Sequence, residues 1–344
     1  MKKLFGTAGA VATAAVALAV GVAPSASAAG TETVTARCSA QLPITHPGCG
    51  RAYVGAPLPD GAPDEHLSGP DRWSTAVAVA EHGFPRADVV VLVNGENAHL
   101  VDALGAAPLA RSLAAPLLLT SRDSLPAATS RFLRERAVRA VLVVGGDAAV
   151  SPAVESQLRE LGVGSVGRVR GSDRYATSRA VAALVPASTH AWVASGETRH
   201  LVDALAASGP AARLAEPVVL VPRDGDVSAT VSELRARGIT STSVAGGAAA
   251  VSDAVLRQLP SPERLASDDR WWTALVVADA AVERGVRSDD NVLVSGEDGH
   301  LVDALAGATL GRVTLLIGDS EDAVWAVENW DAVYPSTRRV SVGG

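Results

Sequence analysis

Three stretches of the chain repeat one set of residues able to do chemistry. Gly95-Glu96-Asn97-Ala98-His99-Leu100-Val101-Asp102-Ala103-Leu104 returns as Gly196-Glu197-Thr198-Arg199-His200-Leu201-Val202-Asp203-Ala204-Leu205. It returns again as Gly296-Glu297-Asp298-Gly299-His300-Leu301-Val302-Asp303-Ala304-Leu305. Glutamate, histidine and aspartate could ligate zinc, and a histidine beside a carboxylate could act as acid and base. No nucleophile recurs beside them, because the residue before the glycine is Asn94, Ser195 and Ser295. The set therefore reads as polar contacts at a helix start, with the aspartate in the first turn, or as contacts to a ligand or a neighbouring unit. No catalytic residue, metal or cofactor is expected. Three of the seven histidines fall at this one position.

A second motif opens each unit: Asp71-Arg72-Trp73, Asp173-Arg174-Tyr175 and Asp269-Arg270-Trp271. The carboxylate suits a helix cap. Arg72, Arg174 and Arg270 either pair with a carboxylate of their own or a neighbouring unit or hold anionic groups of a ligand, since the guanidinium fork matches carboxylate and phosphate. The aromatic residue reads as packing. A third motif is the glycine pair at 145–146, 246–247 and 343–344. It lacks the glycine spacing of a nucleotide fingerprint, and a tight turn explains it. The candidate ligand-binding residues are thus Arg72, Arg174, Arg270, Glu96, Glu197, Glu297, His99, His200, His300, Asp102, Asp203 and Asp303.

The elements that must position these residues follow one order. In the first unit helical spacing covers 72–82, 99–113, 126–136 and 152–161, and apolar strands cover 88–93, 116–120 and 138–144. The later units repeat the strands at 191–194, 217–221 and 241–245, then at 292–294, 313–317 and 339–342. Strands apolar on both faces, alternating with helices, predict an α/β fold with parallel sheets flanked by helices. A loop at the carboxyl end of such a strand is where open α/β sheets bind ligands. The third unit stops at its glycine pair, where the others continue into a helix. Part of the leader, Tyr53-Val54-Gly55 or Thr33-Val34-Thr35, is expected to cover its sheet edge.

Residues 1–28 read as a secretory signal: Lys2 and Lys3, an apolar run, then Ala26-Ser27-Ala28. Residues 29–66 form a proline-rich extended segment in which Cys38 and Cys49 are expected to pair, as in exported proteins generally. Three units follow at 67–166, 167–263 and 264–344. The formal net charge is −7, and no lysine follows Lys3. Such a chain argues against nucleic acid as partner, and no segment of the mature chain spans a membrane.

Together the motifs resemble the cell-wall-binding type 2 repeat of exported proteins of Gram-positive bacteria, here an actinobacterial one. Ser68 to Ala76, Gly171 to Thr177 and, less closely, Ser267 to Ala274 match its opening. Val144 to Ser151 and Ala245 to Ser252 match its close. His-Leu-Val-Asp stands here where the family has Phe-Pro-Asp. The resemblance implies three Rossmann-like modules about a pseudo-threefold axis in a monomer. It also implies a secreted, non-catalytic protein that attaches non-covalently to an anionic polysaccharide or teichoic-type polymer of the wall. The alternatives are a secreted hydrolase using the Glu/His/Asp loop and a self-assembling surface-layer protein.

Overall fold

The structure is a computed structural model that describes residues 64–343. The signal segment, Cys38, Cys49 and the leader strands considered above lie outside the described residues. The described chain opens with a short strand, β1 (Asp64–Leu67). The first module runs α1 (Arg72–Gly83), β2 (Val89–Asn94), a 3-10 turn over Asn97–Ala103, α2 (Ala106–Ser112), β3 (Leu117–Thr120), α3 (Ala127–Glu135), β4 (Ala140–Val144), α4 (Pro152–Glu160) and β5 (Ser165–Val169). The second runs α5 (Arg174–Ala182), β6 (His190–Ser195), a 3-10 turn over Thr198–His200, α6 (Leu201–Leu214), β7 (Val218–Val221), α7 (Ser228–Ala236), β8 (Ser241–Ala245), α8 (Asp253–Leu256) and β9 (Pro262–Leu265). The third runs α9 (Arg270–Glu283), β10 (Asp290–Ser295), α10 (Leu301–Ala308), β11 (Val313–Ile317), α11 (Glu321–Val333) and β12 (Arg338–Val342).

Each module builds one four-stranded parallel sheet, ordered β3-β2-β4-β5, β7-β6-β8-β9 and β11-β10-β12-β1. Val90, Val91, Leu92 and Val93 are all fully buried, as strands covered by helices on both faces must be. In every sheet the chain steps from the first strand to one neighbour, then crosses to the other side. The strand order therefore reverses between β2 and β4, between β6 and β8, and between β10 and β12.

The edge of the third sheet is covered by β1, which spans the end of the 29–66 segment and the first residue of the first unit. β1 lies parallel to β12 with Leu67 opposite Val342, and Gly343 N–H donates to Leu67 O at 3.1 Å. β1 takes the place held by β5 and β9 in the other sheets. The chain therefore closes on itself, with the strand preceding the first module completing the third. The closing residues among those described are 64–67, beside the first module. A strand so close to the first helix needs no long excursion to reach the third sheet.

The ring is held at its centre by α2, α6 and α10, where Ala107, Ala212 and Ala308 meet. Small residues permit this approach. A Cβ at Gly209 of α6 would lie 2.6 Å from Arg312 O in the third module. Outside the centre, α1 packs on α10, α9 on α6, and α5 on the turn before α2. Between the second and third modules, buried Glu216 accepts from Trp192 Nε1 at 2.8 Å and pairs with Arg284.

One helix departs from expectation. The spacing over 99–113 predicts a continuous helix, whereas the structure has a 3-10 turn and then α2. Pro108 has no N–H for Leu104 O, and Gly105 is a weak helix former. The freed Leu104 O accepts instead from Ser208 Oγ of the second module at 2.9 Å, so the break becomes an inter-module tie.

Candidate functional site

The three motifs meet at the carboxyl ends of the strands, at the point where strand order reverses. Asp71, Asp173 and Asp269 are N-caps, accepting from the N–H of Ser74, Ala176 and Trp272 at 2.8, 2.7 and 2.9 Å. This fixes the starts of α1, α5 and α9 and aims the next residue at the glutamate loop. Arg72 Nη1 donates to Gly95 O and Asn97 Oδ1, both at 2.7 Å. Arg174 Nη1 donates to Gly196 O at 2.8 Å. Arg270 Nη1 donates to Gly296 O at 2.7 Å and Asp298 Oδ1 at 2.6 Å. The aromatic residue packs on the same glycine: a Cβ at Gly196 would fall 2.7 Å from Tyr175 Cε1, and one at Gly95 2.6 Å from Trp73. The aromatic side chains thus serve packing.

The glutamate loop is also held from below. Asn94 Oδ1 accepts from Glu96 N–H at 2.6 Å, and Ser195 Oγ and Ser295 Oγ accept from Glu197 and Glu297 N–H at 3.2 Å. The varying residue before the glycine is therefore a turn former in all three modules. Asn94 Nδ2 further donates to Ala149 O, joining the glutamate loop to the glycine-pair loop.

In the glycine pair, Gly145, Gly246 and Gly343 have φ of +115°, +107° and +95°, which L side chains resist. The repeated aspartate lies against this glycine: a Cβ at Gly246 would meet Asp203 Oδ2 at 2.5 Å. Two residues the sequence reading passed over hold this turn. Arg168 on β5 and Arg264 on β9 donate to Gly145 O and Gly246 O at 2.8 Å. In the third sheet His66 takes that register position, with Nδ1 2.8 Å from Ser341 Oγ.

Electrostatics reach across the modules. Burial raises the Asp102 carboxyl, and Arg174 of the second module is the largest opposing charge. Burial raises Asp203 to about 6, opposed by Arg270 of the third module. Burial raises Asp303, opposed first by Arg72 of the first module. Each repeated arginine therefore organises its own loop and faces the aspartate of the preceding module, the first facing the third. The Nε and Nη2 groups of Arg72, Arg174 and Arg270 have no hydrogen-bond partner among the described residues. Burial and the charge of Arg199 push the His200 imidazole below its ordinary value.

At the junction of the third and first modules a cavity of about 300 Å³ is lined by Gly69, Pro70, Asp71, Arg72, Trp73, Thr75, Gly299, His300, Val302 and Asp303. A second, of about 440 Å³, shares His300 and Asp303 and adds Glu297, His66 and Asp319 at the end of the third sheet. Asp303 Oδ1 is buried without a hydrogen-bond partner. His300 and Glu297 are exposed, whereas His99, His200, Glu96 and Glu197 are half-buried. Glu96 Oε1 accepts from Arg122 N–H at 3.3 Å, and Glu197 pairs with Arg199 at 3.1 Å. Among the described residues no group of acidic, histidine or cysteine side chains is arranged to hold a metal. The arrangement offers fork donors and a half-buried polar floor, repeated three times around the ring.

A carboxylate held above its ordinary range is a charge the fold keeps at a cost. Asp203 titrates near 6 in the folded protein and near 4 when unfolded. Its stabilising, protonated form is full below about pH 4 and is lost as pH rises through 6. Asp203→Asn is expected to raise unfolding stability at pH 7 by about 2 kcal/mol, with the gain falling away as pH drops from about 6 to about 4. Denaturant unfolding at the two pH values checks this. A loss at pH 7, or an equal gain at both, contradicts it.

Comparison with known proteins agrees with this fold. The model of the family described as Cell wall binding domain 2 (CWB2) matches residues 66–155 and 168–256. The chain belongs to this family. The amidase LytC of Bacillus subtilis (N-acetylmuramoyl-L-alanine amidase) is 35% identical over 261 residues, covering 75% of this chain and 51% of the relative. An amidase enhancer of the same organism is 32% identical over 160 residues, covering 46% of this chain and 22% of the relative. Among solved structures, Cwp6 from Clostridium difficile superposes with a TM-score of 0.74 at 25% identity, covering 82% of this chain and 46% of that one. Cwp8 from the same organism gives 0.69 at 28% identity, covering 81% and 49%. The chain thus spans about half the length, or less, of these relatives. It is a secreted, cell-wall-associated protein built from three parallel-sheet α/β modules. Among the described residues no helix is long and apolar enough to cross a membrane.

Proposed function

We propose that the chain is a monomeric, non-catalytic wall-attachment protein that grips an anionic wall polymer at the junctions between its modules. One observation supports this above the others. The arginine of each module is placed at the glutamate–histidine–aspartate loop of the module before it, and the ring closes so that Arg72 faces Asp303. A fork with unused donors over a polar floor suits a carboxylate or phosphate. Three such places on one body let weak contacts sum along a polymer. The third module, which lies outside the two family-model matches, takes part on the same terms, since Arg270 and Asp303 occupy the same places as their counterparts. The acidic net charge is answered locally, because binding depends on the arginines at the junctions rather than on the average surface. We read the amidase names among the relatives as the association of such modules with wall-cutting activities.

Sedimentation with purified cell walls tests the reading. The protein is expected in the pellet at low ionic strength and is released by salt, as screened ion pairs require. Protein that stays in the supernatant at low salt, with and without calcium, contradicts it.

A further inference from the structure

The central helices α2, α6 and α10 begin at the junction clefts and end at the opposite pole of the ring. There Arg111 in the last turn of α2, Arg213 in the last turn of α6 and Arg312 just past α10 line a cavity of about 260 Å³, with Arg287 and Asp290 beside them. One carboxylate thus stands among four guanidinium groups, and it is committed: Asp290 pairs with Arg312 Nε at 3.0 Å. Arg287 pairs with Asp289 at 2.8 Å. Arg111 and Arg213 are left without a carboxylate among the described residues, each adding to the other's repulsion.

Helix capping accounts for part of this cluster. Arg111 Nη1 donates to Thr309 O at 3.1 Å, and cations favour helix C-termini. It leaves two facts over. Arg213 makes no hydrogen bond or ion pair among the described residues. Arg312, with its side chain only 10% exposed, keeps Nη1 buried without a partner. A buried donor with nothing to bond is costly to keep. Like charges from three modules gathered around one small cavity, two of them without a carboxylate, are answered by an oxyanion.

We propose that this polar pocket binds one phosphate group, with Arg111, Arg213 and Arg312 donating to its oxygens. The site is separate from the junction clefts and does not rest on their reading. Each of the three arginines comes from a different module, so the bound anion ties the ends of the three central helices together. Free inorganic phosphate and a phosphodiester of a wall polymer present the same chemistry.

Titration calorimetry of the full chain with inorganic phosphate, at constant ionic strength against chloride, tests the site. One saturable phosphate per chain is expected. Arg213→Ala removes an exposed side chain with no structural bond, so the variant folds, and it is expected to weaken binding at least ten-fold. Arg131→Gln on α3, away from the pocket, is expected to leave binding unchanged. The absence of saturable binding, an equal response to chloride, or undiminished affinity in Arg213→Ala overturns the proposal. A second arm uses poly(glycerol phosphate). Polymer binding displaced by inorganic phosphate and weakened by Arg213→Ala supports the site with polymer as its source. Phosphate binding that the polymer does not compete supports it as a site for the free anion.

Discussion

Changing Arg72, Arg174 and Arg270 together to lysine is expected to weaken wall binding by at least about 100-fold. A charged hydrogen bond contributes about 1.5–3 kcal/mol, which is roughly ten- to a hundred-fold per site, and losses at linked sites compound. Lysine is the informative replacement. Each arginine also holds its own glutamate loop through the carbonyl of Gly95, Gly196 or Gly296. An ammonium keeps the charge and can reach that carbonyl, but it lacks the fork that would clasp an oxyanion. The triple variant is therefore expected to fold with a thermal midpoint close to wild type while failing to pellet with walls. Single variants are expected to lose less, because two sites remain. A triple variant that pellets like wild type would reduce these arginines to loop ties and remove the basis of the functional reading.

Leu67→Asp is expected to lower stability by about 4 kcal/mol, through the lost apolar burial and an unpaired buried charge. Leu67 is buried on β1 and lies opposite Val342. Its counterpart in the second sheet, Leu265 on β9, lies opposite Ala245. If the strand before the first module is a structural part of the third, the two substitutions must cost alike, because they remove the same contact from equivalent sheets. Denaturant unfolding of Leu67→Asp and Leu265→Asp side by side decides it. A Leu67 variant within about 1 kcal/mol of wild type, beside a crippled Leu265 variant, would mean that the ring does not close through β1.

Much of the fold was legible because its signals are local. Apolar runs such as Val89 to Val93 admit few readings other than buried strands, and the repetition of each motif marked three equivalent units. The site was legible only as a set of residue types. That Arg174 faces Asp102 rather than a carboxylate of its own module depends on how modules dock, and docking leaves no periodicity. The turn-forming role of Asn94, Ser195 and Ser295 was hidden because the three differ in type while sharing one geometry. Arg168 and Arg264 sit on edge strands at a fixed register, a signal missed because His66 replaces the arginine in the third sheet. The closing strand was hidden because the four residues Asp64 to Leu67 carry no strand signature of their own. The break before α2 followed from Pro108, whose missing donor outweighs favourable helical spacing on either side.

Polymer bound at three equivalent junctions, as proposed, must shield the amides there from solvent, and hydrogen–deuterium exchange of the protein with and without a soluble wall-polymer fragment reads this out. Slowed exchange is predicted at 95–103, 196–203 and 296–303, together with the facing helix starts at 69–73, 171–175 and 267–271. Protection confined to other surfaces, or none at these segments under saturating polymer, would contradict the claim.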